Sequence, residues 1–87
     1  MNERSKQYKK EPVNIMAGTF NEAQYIAKKK GLTAGEWKYL FHYSNLFGFL
    51  PREVVVWAFG QYEHTRNYFD LREYISAHGF KIKRQYE

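Results

Sequence analysis

The sequence predicts an α/β domain: a mostly parallel sheet flanked by two helices, in the order β-α-β-β-α-β. Three observations carry that prediction. Residues 54–59, Val54-Val55-Val56-Trp57-Ala58-Phe59, are apolar at every position and close on Gly60, which marks a central strand covered on both faces. Two segments, 20–30 and 70–78, combine capping residues with an apolar period of helical type. Strand-like runs alternate with those helices, an order that right-handed crossovers fold into a parallel sheet.

Residues 1–11 (MNERSKQYKKE) carry Arg4, Lys6, Lys9 and Lys10 without any apolar period. They read as a flexible basic arm ahead of a single domain over 12–87. Pro12 opens an extended stretch, Val13 to Ala17, and Gly18 turns it into a helix over 20–30. Thr19 and Glu22 have capping-box spacing, and Phe20, Ala23, Ile26 and Ala27 share one face. Gly31 supplies the left-handed position that ends the helix. Lys28, Lys29 and Lys30 fall in its last turn, where cations complement exposed carbonyls.

Trp37, Tyr39 and Phe41 alternate with Lys38 and Leu40, which predicts a strand over 37–41. Thr33 and Glu36 have a second capping-box spacing just before it. If residues 34–47 are helical instead, the domain becomes α+β and winged-helix-like, with a different binding surface. The connection from His42 to Glu53 bends at Gly48 and Pro51, with Leu46 and Phe47 expected to pin it to the core. In the central strand, Val55 and Phe59 should be buried on one face, and Val54, Val56 and Ala58 on the other. Asp70 as N-cap, with Glu73 three residues on, predicts the second helix. Leu71, Tyr74, Ile75 and His78 form its face and Gly79 ends it. Phe80 to Arg84 alternates as an edge strand should, with Lys81 and Lys83 discouraging further pairing.

Eighty-seven residues, 44% hydrophobic and 20% aromatic, suffice for one small core. The absence of cysteine removes disulfides and thiolate metal sites. No apolar run approaches the ~20 residues of a bilayer span, so a cytoplasmic chain with no membrane partner is expected. The net charge of +5 suits a polyanionic partner and is equally ordinary solubility charge.

Open α/β sheets bind ligands outside the carboxyl ends of their strands. Three connections should reach that edge. They bring Gly18, Thr19 and Asn21 at a helix start, His42 and Tyr43 after the second strand, and Tyr62, His64 and Arg66 after the central one. Helix N-termini favour anions and guanidinium fits phosphate, so these eight residues form a candidate anion pocket. Lys9, Lys10, Lys81, Lys83 and Arg84 form a candidate basic surface. The dinucleotide and P-loop fingerprints are absent, which argues against a nucleotide cofactor. The three histidines lack the i, i+4 spacing of a helical zinc site, Ser44 has no glycine elbow, and no orienting partner for a catalytic base is visible. A non-enzymatic binding module without cofactor or metal is therefore expected. Tyrosines beside arginine and lysine serve base stacking on a nucleic acid and hot spots on a protein alike. Both partners stay open.

Residues 17–32 (AGTFNEAQYIAKKKGL), 36–40 (EWKYL), 46–48 (LFG), 54–60 (VVVWAFG) and 78–80 (HGF) carry a resemblance across Gly18 to Lys83. The layout resembles small uncharacterised α/β proteins encoded by bacteriophages. That resemblance implies a phage or prophage origin and a strand at 37–41. It implies no activity and assigns no residue a role. A phage effector that binds a host protein is the second functional expectation beside nucleic-acid binding.

Overall fold

The computed structural model describes residues 13–65 and 67–87; the predicted arm, with Lys9 and Lys10, lies outside them. Four strands, β1 (Val13–Met16), β2 (Trp37–Tyr39), β3 (Val56–Ala58) and β4 (Ile82–Arg84), form one sheet in the order β2-β1-β3-β4. Every pairing is parallel, with Ile15 opposite both Tyr39 and Trp57, and Trp57 opposite Lys83. Helix α1 (Phe20–Lys29) links β1 to β2, and helix α2 (Tyr68–His78) links β3 to β4. The predicted α/β order therefore holds, with the whole sheet parallel.

The topology decides which face each connection covers. The chain steps one way from β1 to β2 and the other way from β2 to β3 and β4. Right-handed crossovers then put α1 on one face and both later connections on the other. Two cores result. Ile15, Ala17, Ala23, Ile26, Ala27 and Phe59 pack beneath α1. Met16, Leu40, Leu46, Val56, Leu71 and Ile75 pack on the opposite side, under α2 and the 40–55 connection.

Local structure follows the capping chemistry. The Thr19 hydroxyl accepts from the Glu22 N–H at 3.1 Å, and α1 ends on Lys30 with Gly31 at φ +82°. Thr33 and Glu36 do form a capped turn, a single 3-10 turn at Ala34–Glu36 with the Thr33 N–H on Glu36 Oε1 at 2.8 Å. The strand follows it directly, so both sequence signals are used. The 42–53 connection is two 3-10 turns, Tyr43–Leu46 and Pro51–Glu53.

Five expectations are corrected. Val55 is 40% exposed instead of buried, because α1 lies over β1 and β2 and leaves the β3–β4 half of its face without a helix. The central strand is correspondingly short. Phe20 is 51% exposed, leaning on the Trp37 ring at 5.6 Å instead of entering the core. Phe47 is also exposed; the turn buries Leu46 and throws the next side chain outward onto Tyr43 and Tyr74. His78, placed on the packed face of the second helix, is exposed and lies against the Tyr74 ring. Helix α2 starts two residues before Asp70, with Asn67 at φ 63° as its cap residue. Asparagine tolerates that left-handed conformation, and Asp70 takes a place in the first turn, where a carboxylate complements the free N–H groups.

Candidate functional site

β1 and β3 are the neighbours at which the strand order reverses, so their carboxyl ends form the switch point of the sheet. Gly18 and Thr19 leave β1 there, and Gln61 and Tyr62 follow β3. The two connections touch: a Cβ on Gly18 would stand 2.9 Å from the Gln61 carbonyl oxygen. The buried Thr65 hydroxyl donates to the Ala17 carbonyl oxygen, and the Tyr39 hydroxyl reaches the same oxygen at 3.4 Å.

At the centre of this arrangement lies Glu22. Its Oε1 accepts the Gly18 N–H at 2.9 Å and the Gln61 N–H at 3.2 Å. The chain's own carboxylate thus takes two backbone N–H groups at the switch point, one from each connection. Gly60 is required beside it, with φ +61° and a Cβ position 2.9 Å from the Glu22 carboxyl group. Burial, and secondly the negative charge of Glu22, raise the Tyr39 hydroxyl above the usual phenol range.

The other residues of the predicted pocket are distributed around this point. Asn21 and His64 are exposed, and Arg66 lies outside the described residues. Tyr62 is half-buried beneath the Arg84 guanidinium, 4.9 Å from its ring centroid. His42 and Tyr43 stack on each other at 4.3 Å, and Tyr43 stacks in turn on Tyr74 at 5.5 Å. His42 Nδ1 accepts the Ser44 N–H at 3.1 Å and so closes its own turn. Among the described residues no group of three potential ligands could hold a metal ion. No described helix is long and apolar enough to cross a membrane.

Two sheet edges carry the remaining features. Along β4, Lys83 and Arg84 are exposed, with Lys81 just before them. Arg84 also lies 5.5 Å from the Tyr86 ring centroid. A cleft of about 320 Å³ beside this strand is lined by Arg52, Val55, Lys81 and Lys83 among others. Along β2 runs a larger groove, about 640 Å³, walled by Phe20, Gln24 and Lys28 of α1 and by Trp37, Tyr39 and Phe41. Sequence reasoning found the alternation of Trp37, Tyr39 and Phe41. It missed the groove, whose second signal is the i, i+4, i+8 spacing of Phe20, Gln24 and Lys28 on one helical stripe. Glu22 was visible only as a capping residue.

No protein family, curated protein or solved structure matches the chain.

Proposed function

We propose that the protein is a non-enzymatic binding module that holds a nucleic-acid backbone along the β4 edge. The observation that carries this reading is the cationic β4 edge: Lys81 and Lys83 line a cleft with Arg52 of the Pro51–Glu53 turn, and Arg84, on the other face of the strand, lies against two tyrosine rings. Lysine and arginine neutralise phosphates and release counterions. Tyr62 and Tyr86 fix Arg84 by cation–π contact, so the guanidinium is held in place ahead of its ligand. Beside the cations, the bare half of the sheet exposes Val55 next to half-buried Trp57, a floor on which a sugar or base can rest. The switch point is not the phosphate site in this reading, because Glu22 fills it with a negative charge.

The test is a fluorescence anisotropy titration with single- and double-stranded oligonucleotides at 50 and 200 mM salt. Wild type should lose affinity steeply with salt. A Lys81→Ala/Lys83→Ala pair should flatten the log–log salt slope by about 0.7–0.9 per lost phosphate contact. No binding at the lower salt, or a double variant with the wild-type slope, would sink the reading.

A further inference from the structure

The groove along β2 has a geometry that the nucleic-acid reading does not use. Its floor is an edge strand, and one wall is a helix running beside it. Leu40 donates its N–H to the Ile15 carbonyl at 2.8 Å. Alternate residues of a strand turn their backbone groups to opposite neighbours, so Trp37 and Tyr39 direct theirs to the open edge. Trp37 to Phe41 spans about 13 Å of extended chain. Phe20 to Lys28 covers about 12 Å of helix. The two walls therefore match in length over four or five residues of an extended ligand.

The chemistry of the walls selects the ligand further. Trp37, Tyr39 and Phe41 lie on the face that α1 covers, and Lys38 lies on the other face. None of the residues lining the groove is acidic, whereas Lys28 and Lys38 are both present. The rings also pack on one another: Phe20 on Trp37 at 5.6 Å, Phe20 on Tyr39 at 5.8 Å and Tyr39 on Phe41 at 5.8 Å. Such rings form an apolar wall for side chains more readily than free platforms for bases. We infer that the β2 edge takes an extended partner segment of alternating apolar and acidic residues as a fifth strand. Its apolar side chains lie against the ring wall and its carboxylates meet Lys38 on the opposite face. Main-chain hydrogen bonds to Trp37 and Tyr39 supply affinity and the alternation supplies specificity, the mode of strand addition to a sheet edge. A second copy of this chain fits less well. An antiparallel β2 pair centred on this three-residue strand sets Lys38 against its own symmetry mate, and like charges facing each other are destabilising.

The experiment is an NMR amide titration of the full chain with an octapeptide alternating valine and glutamate. Shifts should appear at residues 37–41 and along the 20–28 stripe. The matching valine–lysine peptide should bind at least tenfold more weakly, and Lys38→Glu should reverse that preference. Methylating the peptide nitrogens at one alternate set of residues should abolish binding, and methylating the other set should leave it. Equal binding by both methylated peptides would overturn strand addition. So would the absence of shifts at 37–41 with millimolar peptide, or self-association through β2 in place of peptide binding. A single-stranded oligonucleotide that shifts residues 37–41 when the peptide does not would assign the groove to bases and overturn the inference. The nucleic-acid proposal is read at β4 resonances and stands or falls separately.

Discussion

The β2 half and the β4 half of the sheet are built alike and finished differently. Each ends in a parallel edge strand of three residues. On the α1 face, β2 presents Trp37 and Tyr39 beside a helix, whereas β4 presents Lys83 with no helix beside it. The cause lies in chain direction. With only one crossover on that face, half of it is left bare, and the sequence meets this with lysines on the bare edge and rings on the covered one. Lysines on an edge strand also guard it against unwanted pairing. β2 has only Lys38 for that purpose, on the opposite face. An edge that is bare but guarded suits a polyanion, and an edge that is walled but unguarded suits a strand.

The largest expected effect separates the two halves of the α1 face. Ile15 is fully buried beneath α1, while Val55 is 40% exposed on the bare half. Ile15→Asp would bury an unpaired carboxylate at a cost of several kcal/mol, a large part of the ~5–15 kcal/mol that holds a domain folded. Val55→Asp should cost less than about 1 kcal/mol, in the range of surface changes. Urea melts of both variants check this. Equal losses would show that the β3–β4 half is covered after all.

This contrast also marks what could be read in the chain alone. Element order, the Thr19 and Thr33 caps and the alternation at 37–41 are local and follow from spacing. Burial of Val55 is not local. Three valines in a row announce a strand, but whether a helix lies over the second depends on which way the crossovers turn. The same limit hid the Glu22 bridge, since Gln61 is 39 residues away. It hid the β2 groove too, because a wall shared by α1 and β2 exists only once those elements are neighbours. For Phe20, an apolar residue at the start of a helix looks like core whether it enters the core or caps an aromatic wall.

A middle-sized effect is expected at the seam between the halves. Glu22 ties the connection after β1 to the one after β3 through two backbone N–H groups. Hydrogen bonds to a charged group contribute about 1.5–3 kcal/mol, and partial exposure of this one argues for the lower end. Glu22→Ala should therefore lower the unfolding free energy, read from urea melts, by about 1–2 kcal/mol. It should also speed amide exchange at Gly18 and Gln61 while leaving β4 protection unchanged. Unchanged exchange at Gln61 would mean that the seam is held by Thr65 alone.

The smallest effect sits on the β2 half, at Tyr39. Its hydroxyl is raised above the ordinary phenol value of 10.0, by burial first and by Glu22 second. The folded chain therefore keeps the proton to a higher pH than the unfolded chain does. The sign follows from linkage: where the unfolded state releases its proton first, stability falls as pH rises. Tyr39 thus contributes fully below about pH 10 and loses that contribution as pH climbs through its folded value. Tyr39→Phe removes the hydroxyl, whose bond to Ala17 is long at 3.4 Å, so its cost at neutral pH should be under about 1 kcal/mol. The variant cannot ionise at this position. The stability gap between wild type and variant should accordingly narrow as pH rises past 10. All other tyrosines are common to both proteins and cancel in the difference. Urea melts at each pH give the gap directly, and a gap that stays constant across the range would place the Tyr39 hydroxyl in solvent instead of beside the Ala17 carbonyl.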